Sequence, residues 1–242
     1  MSIQWTPQYY QKVLAMNPIA YWLLDEKSGT VAYDLVSGRV AGAQNGTHSG
    51  VLLWHNGIGD GRRSAGYDSK ASSYTDIYSV ALNAAFNGQS GSAMGWFKVA
   101  SAGVWEDGVS RVMLRVYGDA NNYIQFLKSS TNNRFLIQYL AALGVYTTTV
   151  NGISSVDWMR FGITWSFASD EVKAYWNGAQ VGVTLNGVNA WVPGAPPLNN
   201  GNTFIGAATA VPANVFDGDG ADVALWDRVL SAEEMAVLAV VE

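Results

Sequence analysis

The acids, the two histidines and the ten tryptophans of this 242-residue chain carry whatever chemistry it can do. Hydrolysis of a glycosidic bond with retention needs two carboxyl groups about 5–5.5 Å apart, a spacing that alternate positions of one strand supply. Glu106 and Asp107 are adjacent instead, so on a strand they would face opposite sides, and no Glu-x-Asp-x-Glu run occurs. His48 and His55 fall in a Gly- and Asn-rich stretch with no Gly-x-Ser-x-Gly elbow; they read as solvent-exposed loop histidines. No cysteine is present and no close His spacing suits a transition metal. The run Asp217-Gly218-Asp219-Gly220-Ala221-Asp222 is rich in oxygen donors. It fails as an EF-hand, because Asp222 stands where the sharp turn needs Gly and Arg228 where the bidentate Glu belongs. Catalysis is therefore not expected, and recognition or assembly is.

Recognition of a sugar needs an exposed aromatic face with polar groups beside it. Trp54, Trp105 and Trp191 lie in loop-like stretches and are the candidates for a glycan or partner surface. Trp22, Trp96, Trp165 and Trp176 lie in strand-like runs and read as core. Aromatic content alone does not separate a sugar platform from a protein interface, since both use Tyr and Trp.

The elements that must position these residues are mostly strands. Only 14% of residues are charged against 49% hydrophobic, a balance that builds a large core and argues against disorder. The net charge of −5, with dispersed Lys and Arg, argues against nucleic acid. No run of 18 apolar residues predicts a membrane span. The start Met1-Ser2-Ile3-Gln4-Trp5 lacks the form of a secretory signal, which points to synthesis in the cytosol. Thr6-Pro7 caps a short helix with Tyr10, Val13 and Leu14 on one face, ended by Asn17-Pro18. This arm, residues 1–18, docks on its own domain or on a neighbour. Residues 19–242 read as one β domain. Strands are predicted at 111–117, 123–127, 135–140, 159–166 and 172–176, with Asn177-Gly178 as the strongest hairpin signal. Ser231 and Glu234 have capping-box spacing for a short final helix.

Four landmarks fall in order along the chain: Ala20-Tyr21-Trp22-Leu23-Leu24-Asp25-Glu26; Met94-Gly95-Trp96-Phe97-Lys98; Trp158 to Trp165 with Val172 to Gly178; and Asp222-Val223-Ala224-Leu225-Trp226-Asp227-Arg228 through Glu234. In these the chain resembles a laminin-G-like domain of the concanavalin A-like lectin/glucanase superfamily. The resemblance implies an all-β fold, a two-sheet antiparallel jelly-roll sandwich whose first and last strands pair. Several such domains bind a structural Ca²⁺. The matching positions here are Asp25 and Asp222, with Asp34 as a third ligand, although the same acids also suit turn caps. No other cofactor is implied.

The opening Tyr9 to Trp22 also resembles laminin-G-like proteins encoded by tailed phages. It leads to the expectation of a non-enzymatic virion protein, decorating a phage capsid or tail surface and aiding adhesion. Its partners would be other virion proteins, further copies of itself in a homo-oligomer, and cell-surface or mucosal glycans. The alternative is a carbohydrate-binding, lectin-like module, with or without Ca²⁺.

Overall fold

A computed structural model describes residues 8–38, 42–192, 197–209, 211 and 213–241. Two antiparallel sheets face each other across one core. Strands are numbered in chain order. The first sheet runs β14 (Ala179–Leu185), β13 (Glu171–Trp176), β12 (Met159–Ser166), β7 (Ser90–Val99), β16 (Gly218–Trp226), β5 (Arg63–Tyr67) and β4 (Leu52–Asn56), with β1 (Ala20–Trp22) joined to β16. The second runs β11 (Gly144–Asn151), β10 (Arg134–Ala141), β9 (Asn122–Lys128), β8 (Arg111–Asp119), β15 (Phe204–Ile205), β6 (Tyr74–Asp76), β3 (Gly46–Ser49) and β2 (Val31–Ala32). This is the expected β sandwich. The two ends of the chain meet in it, with Ala20 opposite Leu225, Tyr21 opposite Ala224 and Trp22 opposite Val223. Leu24, at φ 62°, turns the chain out of the sheet just after β1.

Asn177 and Gly178 both take positive φ, 48° and 85°, and close the two-residue turn between β13 and β14. That is the geometry whose twist matches the flanking strands. Inward residues of both sheets, among them Trp22, Phe97, Phe126, Phe135, Phe161 and Trp165, form the sandwich core. Burial of each such aromatic side chain contributes about 1.5–3 kcal/mol, so this layer dominates the stability.

The outer faces of the sheets differ. Helix α1 (Tyr9–Ala15) and helix α3 (Ala232–Val237) cover the first sheet and form a second apolar layer with Tyr21, Met94, Trp96, Tyr175 and Trp226. We call this the covered sheet. Burial on both faces shows in β7, β12 and β16, where nearly every residue is buried, polar ones included. The described part of the arm, from residue 8 on, thus docks on its own domain. The Tyr9 hydroxyl donates to the Leu238 carbonyl and accepts from Trp96 Nε1, both at 2.8 Å. Arg228 ties the helices together, with Nη2 on the Met16 carbonyl at 3.1 Å and both Nη atoms on the Glu234 carboxylate. The Ser231–Glu234 capping box opens α3 as predicted. Thr6 and Pro7, predicted to cap α1, lie outside the described residues; α1 begins after Gln8, whose backbone N–H donates to Gln11 Oε1 at 2.9 Å.

Among the described residues, no helical layer like that of α1 and α3 covers β8 to β11 of the second sheet, here the open sheet. Its strands alternate buried and half-buried or exposed residues, most clearly in β10 and β11.

Candidate functional site

The three tryptophans proposed for a binding surface have separate fates. Trp105 is 0% exposed and Trp191 only 4%, which corrects their reading as surface residues. Each loop folds back to plug the sandwich. Trp105 sits in a 3₁₀ turn (Ala102–Trp105), packs edge-on against Phe135 and donates Nε1 to the Ser155 carbonyl at 2.8 Å. Trp191 packs against Phe86 and Tyr139, with ring centroids 5.5 and 5.9 Å away. An irregular chain segment supplies little apolar surface of its own, so one large ring on it is best spent closing the core.

Trp54 is 47% exposed. It lies on β4, the edge strand of the covered sheet, where the pairing with β5 slips between Leu52 and His55. Its φ is 70°, in the left-handed region that non-glycine residues seldom enter. Such a conformation costs about 1–3 kcal/mol and tends to mark functional positions. Lys27 Nζ stands 5.9 Å and Arg63 Cζ 5.3 Å from the ring centroid. Arg63 Nη1 also donates to Asn56 Oδ1 at 2.7 Å. Next to this frame lies a shallow cleft of about 310 Å³ lined by Asn56, Gly57, Gly59, Gly61, Arg62 and Arg63. An aromatic plate, an amide and fixed cations around a cleft can hold a sugar ring by its C–H face and its hydroxyls.

The three acids proposed for Ca²⁺ do not form a joint ligand set. Asp222 is buried, and its carboxylate accepts from Arg62 Nη2 at 2.8 and 3.0 Å and from the Tyr21 hydroxyl. Burial pushes this carboxyl up to about 6, against the pull of Arg62. Asp34 spends one oxygen on the Tyr21 N–H at 2.7 Å and the other on the Ser37 N–H at 2.5 Å. Asp25 lines a cavity of about 320 Å³ with Tyr10, Leu23, Leu35 and Arg62. A guanidinium and backbone N–H groups already occupy the oxygens of two of the three acids, so these residues do not suit a cation. Among the described residues no group of three or more His, Cys, Asp or Glu could hold a metal ion.

Neither histidine lies in a loop. His55 is on β4, with Nδ1 2.7 Å from Asp219 Oδ1. His48 is on β3, whose alternation turns it inward, so it is buried rather than solvent-exposed. Its Nδ1 is 2.9 Å from Thr75 Oγ1 and its Nε2 3.3 Å from Glu26 Oε2. Acid, imidazole and hydroxyl in a row is the arrangement that activates a nucleophile. Thr75 is fully buried and also bonds the Tyr67 hydroxyl, so no substrate can reach it.

The family model described as the concanavalin A-like lectin/glucanases superfamily matches residues 69–236, which is most of the chain. The chain belongs to that superfamily. Among solved structures, it is similar to domain 4 of AbnA, an extracellular arabinanase from Geobacillus stearothermophilus, in complex with arabinotriose. That likeness has 14% identity and a TM-score of 0.65, and covers 92% of this chain and 98% of the other. It is also similar to the binding domain of botulinum neurotoxin serotype D (13% identity, TM-score 0.61), covering 92% of this chain and 51% of that one. A third is the Ruminococcus gnavus IT-sialidase CBM40 (14% identity, TM-score 0.52), covering 73% and 93%. At these identities the likeness is one of fold. A comparison with curated proteins gave no match.

One group of residues in this concanavalin A-like domain was not singled out from the sequence. On the outer face of the open sheet, register aligns Thr147, Gln138, Gln125, Arg115 and Phe204 across β11, β10, β9, β8 and β15. Gln125 Nε2 donates to Gln138 Oε1 at 2.5 Å, and Gln138 Nε2 to Thr147 Oγ1 at 3.0 Å. Tyr117 and Tyr123 form the neighbouring cross-strand pair, stacked at 6.2 Å. The available signal was the alternation Arg115-Val116-Tyr117 and Tyr123-Ile124-Gln125, which puts both tyrosines, the arginine and the glutamine on one face.

Proposed function

We propose that this domain is a non-catalytic carbohydrate-binding module with Trp54 as its sugar platform. One observation carries the reading: of the three tryptophans singled out, Trp54 alone stays open to solvent, and it does so in a strained backbone conformation. A strand edge gains nothing in packing from an exposed indole held at positive φ, so the conformation points to use rather than to folding. The fold supports the same class, since similar structures include a domain in complex with arabinotriose and a CBM40.

The setting of the domain is a separate matter. A virion surface is supported by the likeness of the Tyr9–Trp22 opening to phage-encoded proteins. Helix α1 does not supply a contact to other copies through Tyr9 and Val13, which are buried against their own domain.

The test is a glycan array probed with the wild-type chain and with Trp54→Ala. Wild type should retain at least one glycan class, and the variant should lose it by about tenfold or more in affinity, roughly 1.4 kcal/mol. No retention by wild type, or equal retention by the variant, contradicts the proposal.

A further inference from the structure

The open sheet carries an arginine whose charge no carboxylate answers among the described residues. Among the described residues Arg115 forms no ion pair; its one hydrogen bond runs from Nη1 to the Ala208 carbonyl at 3.2 Å. Its Cζ lies 4.4 Å from the Tyr117 ring centroid and 4.8 Å from that of Tyr123. Its Nε is buried without an acceptor, and partial burial pulls its pKa down. Nη2 has no protein acceptor among the described residues.

A guanidinium stacked on aromatic rings keeps its planar fork and loses little further freedom when it binds. The group such a fork matches best is a carboxylate, taken by parallel N–H donors. The residues around it suit a sugar: Gln138 and Thr147 offer amide and hydroxyl groups along the same row, with the buried Gln125 holding Gln138 in place, and the tyrosine pair offers two phenols. The acid that shares this row is Asp76, opposite Phe204 on the side away from Gln125. Asp76 accepts the Tyr78 N–H at 2.9 Å, and burial raises its pKa. A ligand carboxylate therefore meets Arg115 over β8 and β9, with Phe204 between it and Asp76.

We propose that this face is a second binding site, for a saccharide bearing a carboxylate, with Arg115 as the residue that reads the acid. The site is independent of Trp54, which lies at the edge of the other sheet.

The probes are trigalacturonate and a glucuronate-containing hyaluronan tetrasaccharide, each compared with its methyl ester by titration calorimetry. At least one acid should bind, and its ester should bind about tenfold more weakly or not at all. Arg115→Gln should abolish the difference between acid and ester, and Arg115→Lys should restore only part of it, because an ammonium cannot present two parallel donors. Trp54→Ala should leave acid binding unchanged. Added salt should weaken the acid and spare the ester. Absence of binding by both acids in the millimolar range overturns the proposal. So does equal affinity of acid and ester in wild type, a comparison that needs no variant to fold. Retention of acid preference by a folded Arg115→Gln protein overturns it as well.

Discussion

Arg160 and Arg115 sit on opposite outer faces of the sandwich, and neither has a carboxylate partner among the described residues. Each has a buried Nε without an acceptor. Arg160, on β12 of the covered sheet, is fully buried. Its Nη2 donates to the Met235 carbonyl at 2.5 Å and its Nη1 contacts Met94 Sδ at 3.4 Å. It satisfies a carbonyl near the end of α3, where a helix favours positive charge. Burial pulls its pKa down to about 10. Arg115 has the same chemistry, and among the described residues no helix lies above it. The difference shows what a covering layer does: one arginine becomes part of the fold, and the other keeps Nη2 without a protein acceptor among the described residues.

The largest test of this contrast is removal of the layer. Deleting residues 1–17 takes away Tyr9 and Val13 and uncovers Tyr21, Trp96 and Trp226. Loss of a buried aromatic alone costs about 3–5 kcal/mol. The truncated chain should therefore melt about 10–20 °C lower or fail to stay soluble. A melting temperature within a few degrees of wild type would show that the helix contributes little.

Next is Arg160→Ala, which leaves a cavity and an unpaired carbonyl at the end of α3. It should cost about 3 kcal/mol in denaturant unfolding. Arg115→Ala should cost less than about 1 kcal/mol, as a partly exposed position away from the core does. Equal losses would erase the distinction between the two faces.

A smaller effect concerns Asp222 under the same layer. Its carboxyl titrates near 6 in the fold, above the ordinary Asp value near 3.9 in the unfolded chain. The folded chain thus holds this proton more tightly. The group's contribution to stability is largest below about pH 4 and is lost as pH rises through about 6. Wild type should lose about 1–2 kcal/mol relative to Asp222→Asn between pH 4 and pH 7. A difference that is flat or grows with pH would mean that Arg62 outweighs burial.

The smallest effect is a gain. Trp54→Gly relieves the left-handed backbone and should raise stability by about 1 kcal/mol while removing the sugar platform. A loss of stability would make Trp54 a packing residue.

The sandwich itself was legible because its signals are local. Asn177-Gly178 sets a turn, Ser231 and Glu234 set a cap, and β12 stands where its apolar run predicts. The pairing of the chain's ends rested on resemblance and is met residue by residue. Helix α2 (Val80–Ala85), capped by Ser79, escaped notice because it is short, with Leu82 as its buried residue. Strand β11 carries the alternation Tyr146, Thr148, Val150 inward, and a run of threonines masked it. The candidate sites were less legible. Whether Trp54, Trp105 or Trp191 faces solvent depends on how each loop returns to the core, which is a long-range property. Asp25, Asp34 and Asp222 look alike in sequence, and only the fold places Arg62 on Asp222. The Arg115 row needs the register of five strands before its members meet.

The most direct test of the central claim is an ¹⁵N NMR titration of the full chain with an uncharged glycan that the array retains, read at the ten tryptophan indole N–H signals. The Trp54 signal should shift progressively with ligand, while those of the buried Trp105 and Trp191 stay in place. A Trp54 signal that does not move while the glycan binds would contradict its role as the sugar platform.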